Sequence, residues 1–190
     1  MTKPLSEMTL EELWELFPIF LTPHKEEWRA WYDEEKSRLA GFIPAEYGAI
    51  INHIGSTTLE GIWAKPIIDM LLEIPSDKDM ASLKELLSRN GYICMSADDK
   101  RYSLNRGYTP EGFAERVYHL HLRFYGDNDE LYFLDYLKAH PQEAEEYEKL
   151  KLKLWREYEH DRDGYTEAKS ALVGELTQRG KEMFPQRYAR

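Results

Sequence analysis

One cysteine, Cys94, stands in 190 residues, so no intrachain disulfide can form. Positive charge is scarce: 25 Lys and Arg face 35 Asp and Glu, a net of −10. Broad nucleic-acid binding needs a basic face that displaces counterions, and this balance argues against one. It leaves room for a small basic pocket that takes a nucleotide. Long apolar runs are missing, and none approaches the roughly 20 residues that span a bilayer. Met1-Thr2-Lys3-Pro4 leads into no signal-peptide core. No membrane partner and a cytoplasmic location are therefore expected. Internal repeats and low-complexity stretches are absent too. What is present, 42% hydrophobic and 32% charged residues, suits a single soluble domain long enough to bury a core.

The chain is organised around residues 50–74. Ile50, Ile51 and Ile54 are β-branched and run into the turn cluster Gly55-Ser56-Thr57-Thr58. Ile67 to Ile74 is almost wholly apolar, as in a strand buried on both faces. Asp69 breaks that pattern. A carboxylate in a buried strand is costly unless it is paired, hydrogen-bonded or bound to a cation, so function is sought there. Glycine permits close backbone approach, and the hydroxyls and N–H groups of Ser56, Thr57 and Thr58 can cradle phosphate oxygens.

Elsewhere the periodicity predicts helices over 7–17, with Thr9 and Glu12 as a capping box, and over 24–39, docked through Trp28 and Trp31. A helix from about Asp79 to Arg89, capped by Ser76 or Asp77, leads to short strands at 92–95 and 101–105 and a loop over 107–115. Arg116 to Phe124 alternates cleanly, placing His119, His121 and Arg123 on one face. Helices follow over 129–140, 141–159 and 166–183, and Lys149, Lys151 and Lys153 read as a solvated face. The fold class is α/β of the α+β kind: a central mixed sheet of about four to six strands flanked by helices. Residues 1–40 form a helical extension, and residues 127–184 are C-terminal helices of the one domain, 1–190. The Asp69 strand and the His119–His121 strand are expected to be neighbours.

Twelve residues separate Ser56 from Asp69. A hydrophobic residue, Gly-Ser, a spacer and an acid on a strand resemble the signature of the nucleotidyltransferase fold of the DNA polymerase β type. The longer string His53-Ile54-Gly55-Ser56-Thr57, then Gly61-Ile62-Trp63-Ala64-Lys65-Pro66-Ile67-Ile68-Asp69, resembles the GrpB family, whose domain also occurs fused to dephospho-coenzyme A kinases. His119-Leu120-His121, Phe133 to Pro141, Tyr147, Leu150-Lys151 and Tyr165 to Lys169 look like further landmarks of it, in order. The resemblance covers roughly residues 45–180.

It implies a nucleotidyltransferase-like protein that binds a nucleotide and a divalent metal, Mg²⁺ or Mn²⁺, and transfers a nucleotidyl group to a small acceptor. The alternative is a non-catalytic nucleotide- or metabolite-binding domain. The fold's pattern is Asp-hydrophobic-Asp/Glu, since residues i and i+2 of a strand share a face about 6.6 Å apart. Here Leu71 stands at the second acid, and Glu73 is roughly 13 Å along, too far to share a metal with Asp69. Asp69 is assigned as catalytic carboxylate and metal ligand. His119 and His121 are either transition-metal ligands beside it or, with Arg123, phosphate donors; the plain alternative is one core and one surface histidine. His53 can hydrogen-bond the Gly55-Ser56 turn. Lys65 meets a phosphate or pairs with Asp69 or Glu60, and Lys169 is a further phosphate candidate. The expected partner is a nucleotide or small phosphorylated metabolite.

Overall fold

The structure, a computed structural model, describes residues 3–189. Met1 and Thr2, part of the leader position considered above, and Arg190 lie outside the described residues. The strands are β1 (Ile50–Ile54), β2 (Ile68–Ile74), β3 (Ile93–Ala97), β4 (Arg101–Thr109) and β5 (Gly112–Phe124). They form one mixed sheet in the order β1-β2-β5-β4-β3. β2 and β5 run parallel, with Asp69 beside His119, Leu71 beside His121 and Glu73 beside Arg123. β1 flanks β2 antiparallel, Ile54 opposite Asp69. On the other side β4 places Asn105 beside His119 and Ser103 beside His121. The expected adjacency of the aspartate and histidine strands is what the sheet shows.

Alternation along the strands divides the molecule into layers. Ile68, Met70, Leu72, Leu120 and Leu122 face α2 (Glu27–Phe42) and α3 (Met80–Arg89), packing on Trp28, Leu39, Leu83 and Leu87. Each such side chain stabilises the fold by about 1.5–3 kcal/mol when fully buried. A buried carboxylate, Glu35, ties this layer to the sheet by accepting from Arg106 (2.7 Å), Arg38 (2.6 Å) and Tyr92 (2.6 Å). The opposite face carries Ile54 and Leu71 under α4 (Asp129–Ala139), α5 (Pro141–Glu157) and α6 (Arg162–Met183). These helices cover only part of that face, which is why polar residues of β2, β4 and β5 can stand beside a core.

The N-terminal helix α1 (Leu10–Leu16) starts with the expected capping box: Thr9 and Glu12 each bond the other's backbone N–H. Leu13 and Leu16 then pack on Phe17, Tyr108 and Val117. Three local expectations give way to different caps and packing. The stretch 107–115 is the tip of the β4–β5 hairpin, held by Phe113 against Phe17 (5.0 Å) and Tyr108 (5.2 Å between centroids). Asp79, not Ser76 or Asp77, caps α3, accepting from the Ser82 N–H at 3.0 Å. α6 begins four residues earlier than expected because Asp161 accepts from the Gly164 N–H at 2.8 Å, drawing the glycine into the first turn. Among the described residues no helix is long and apolar enough to cross a membrane.

Candidate functional site

Asp69 lies near the start of β2, where β1 ends and turns at Gly55. Gly55 has φ 76° and ψ 177°, a region essentially reserved for glycine. A β-carbon there would sit 2.9 Å from Asp69 Cβ and 3.0 Å from Cγ. The absence of a side chain therefore lets the turn lie directly on the carboxylate. A single 3₁₀ turn, Ser56–Thr58, follows, pinned by Thr58 Oγ1 donating to the Gly55 carbonyl at 2.8 Å. From β5, His119 Nδ1 stands 3.2 Å and His121 Nε2 3.8 Å from Asp69 Oδ1. Burial opposes charge on Asp69, but the neighbouring His119 and His121 imidazoles prevail and hold its carboxyl well below the usual range. The other oxygen, Oδ2, has no hydrogen-bond partner among the described residues.

The two imidazoles are themselves oriented. Arg162 Nη1 donates to Tyr108 Oη at 2.7 Å, and Tyr108 Oη lies 2.9 Å from His119 Nε2. With Tyr108 Oη accepting from Arg162, its own proton is free for His119 Nε2, which makes Nε2 the acceptor and leaves the proton of a neutral ring on Nδ1, the nitrogen nearer Asp69. Burial pushes the His119 pKa down, against the pull of Asp69, and keeps the ring neutral. His121 Nδ1 faces Arg123 Nη2, a donor, at 3.4 Å, so its proton sits on Nε2 toward Asp69.

Next to this group lie basic side chains that have no carboxylate in ion-pair contact. Lys65 Nζ is 4.1 Å and Lys169 Nζ 4.9 Å from the centroid of the same ring, Tyr165. Lys151, 2% exposed, donates to the Trp63 carbonyl at 2.5 Å. Burial, with repulsion from Lys169, Arg162 and Lys151, drives the Lys65 pKa well below the usual lysine value, although Asp69 raises it. Burial and Lys169 bring Lys151 down to about 7. Among the described residues none of Lys65, Lys151, Lys169 and Arg162 forms an ion pair with a carboxylate. An anion placed among them gains charge-assisted hydrogen bonds and relieves their mutual repulsion.

The family described as GrpB protein matches residues 18–179. The chain belongs to the GrpB family. It is 36% identical over 165 residues to glutamate-rich protein GrpB of Alkalihalophilus pseudofirmus, covering 83% of this chain and 93% of that one. It is 35% identical over 153 residues to YqkA of Bacillus subtilis, covering 79% of this chain and 43% of YqkA, so it spans less than half of that relative. Conserved protein GrpB from Enterococcus faecalis superposes with a TM-score of 0.73 at 24% identity, over 87% of this chain and 99% of that one. Cid1 poly(U) polymerase with MgGTP bound superposes with a TM-score of 0.50 at 14% identity, over 73% of this chain and 45% of that one. At these identities the likeness is one of fold, and the fold of this GrpB protein is nucleotidyltransferase-like.

Within that fold Gly55, Ser56, Asp69, His119 and His121 come together, and Lys65 is near enough to feel the Asp69 charge. Ser56 keeps its hydroxyl without a hydrogen bond among the described residues. His53 does not join them. Strand alternation sends it to the α2 face, where it stacks on Tyr32 (4.6 Å between centroids) and meets Thr57 Oγ1 at 2.9 Å. Thr57, 3% exposed, is thereby turned away from Asp69. Arg123 is 7% exposed and donates to the carbonyls of Tyr102 and Leu122, both at 2.9 Å, so its guanidinium holds strands rather than a ligand. Both ring nitrogens of His119 are engaged, and no group of three or more His, Cys, Asp or Glu among the described residues is disposed to hold a metal. Leu71, fully buried, packs under the C-terminal helices.

Sequence reasoning missed Tyr108 and Arg162 in this GrpB chain, and it read Lys151, a family landmark, as part of a solvated face. Tyr108 was hidden in a stretch read as loop, and Arg162 in one read as lying before a helix. Lys151 carried a usable signal: it falls on the stripe of Ala144, Tyr147 and Leu154, the buried side of α5.

Proposed function

We propose that this protein binds a nucleoside triphosphate, or a related small phosphorylated metabolite, with its phosphates between Lys65, Lys169, Arg162 and the Ser56 hydroxyl. The observation that carries the reading is the set of basic side chains gathered around Lys65, which itself feels the Asp69 charge, with no carboxylate in ion-pair contact with them. Mg²⁺ is commonly held by one or two carboxylates plus substrate phosphates, and the free Oδ2 of an ionised Asp69 fits one such ligand for Mg²⁺ or Mn²⁺. Bound there, the metal would neutralise phosphate charge and polarise a phosphoryl oxygen. His119 and His121 keep the carboxylate charged and aimed, and Tyr108 with Arg162 keeps His119 in its tautomer.

Binding is the function these groups support best, because the position of a second metal-holding acid is the buried Leu71. Transfer of a nucleotidyl group to a small acceptor is the second reading. It is favoured by the ionised Asp69 within a nucleotidyltransferase-like fold. The test is calorimetric titration with ATP with and without Mg²⁺. Each of Lys65→Ala and Lys169→Ala should weaken ATP about tenfold or more, the worth of a charge-assisted hydrogen bond. Asp69→Asn should remove the Mg²⁺ dependence while leaving the fold intact. Unchanged affinity in both lysine variants would refute the phosphate site.

A further inference from the structure

A cleft of about 620 Å³ lies between α1, strands β3 to β5 and the start of α6, and His119 and His121 form part of its lining. Its volume is in the range that holds small molecules, about 300–1,000 Å³. One wall is apolar: Leu13 and Trp14 from α1 face Ile93 and Met95 from β3, and the last two are 42% and 54% exposed. The floor is polar. Asn105 is 7% exposed, stands beside His119 in register and lines the cleft. Its amide makes no hydrogen bond with any described residue. The amide atoms are not sealed in the core, so they are open to a ligand in the cleft. Arg162 belongs both to this lining and to the cation group, so one ligand can reach both.

We infer that the cleft takes the base and sugar of an adenine nucleotide, with the Asn105 amide reading the base edge; this rests on the phosphate site proposed above. A side-chain amide offers a donor next to an acceptor. That pair complements the adenine N6–H and N7, whereas the same edge of guanine presents two acceptors. Flat apolar walls with one placed polar group suit a purine, and Trp14 offers a ring for it to stack on. The residues of α1 precede residue 18, where the family match begins. The family match therefore does not cover the wall against the base.

The test is calorimetry on the full chain at fixed Mg²⁺ with ATP, GTP, UTP, CTP and inorganic tripolyphosphate. ATP should bind about tenfold or more tighter than tripolyphosphate and tighter than the other three nucleotides. Asn105→Leu and Asn105→Asp should bring ATP down toward tripolyphosphate without changing tripolyphosphate itself. Trp14→Ala, on a surface helix, should weaken ATP alone, and circular dichroism melting checks that each variant folds. Equal affinity for ATP and tripolyphosphate, or a preference untouched by the Asn105 and Trp14 variants, overturns the base site while the phosphate site stands. A tighter complex with GTP, UTP or CTP overturns the adenine assignment. Absence of binding by tripolyphosphate and by every nucleotide overturns both sites together.

Discussion

Gly55→Ala perturbs the turn on which the whole site is built. Two costs can be separated. The backbone at φ 76° and ψ 177° is sparsely populated by any residue but glycine, a penalty of about 1–3 kcal/mol. The new methyl also collides with Asp69, whose Cβ and Cγ would be 2.9 and 3.0 Å away; overpacking of that kind costs about 1–3 kcal/mol. Together they amount to about 2–6 kcal/mol, a large share of the roughly 5–15 kcal/mol that holds a domain folded. Urea denaturation followed by fluorescence of the five tryptophans measures the total. A double-mutant cycle with Asp69→Gly isolates the collision: the double variant should recover about 1–3 kcal/mol relative to additivity. If the two substitutions add within about 0.5 kcal/mol, the close approach of turn and carboxylate is not what makes glycine necessary, and the account of Gly55 fails.

Two further outcomes follow from burial. His53 is held down at about 4 by burial against Tyr32, below its unfolded value near 6.5. The unfolded chain then binds the extra proton first, so this stabilisation is complete above pH 6.5 and is lost as pH falls toward 4. The partly exposed ring limits the effect to about 1–3 kcal/mol; the difference between unfolding free energies at pH 7.5 and 4.5, from urea denaturation, should shrink by that amount in His53→Phe, and a pH difference as large as that of wild type would refute it. Leu71→Asp places a charge under α4 and α6 without a partner and should cost about 3–5 kcal/mol. A variant as stable as wild type with tighter Mg²⁺ binding would show instead that position 71 opens onto the site.

Much of the architecture was readable from local pattern. The alternation of residues 116–124 and the apolar run at 67–74 set two strands, and Asp69 stood out because a carboxylate conflicts with its surroundings. The Gly55-Ser56 turn was legible for the same reason, since only glycine suits such an approach. The helical caps at Thr9 and Glu12 needed nothing beyond four residues. Tertiary structure decided which of the candidates meet. His53 and Asp69 belong to adjoining strands, yet the period of two in a strand sends them to opposite faces. Arg123 and His121 share a face, yet the Arg123 guanidinium is drawn to the backbone carbonyls of Tyr102 and Leu122. Tyr108, Arg162, Lys151 and Lys169 come from three elements far apart in the chain. Their convergence around Lys65 and His119 depends on how α5 and α6 cross the sheet, which no local pattern encodes. Periodicity tells a residue which side of its own element it occupies; only packing between elements determines what it faces there.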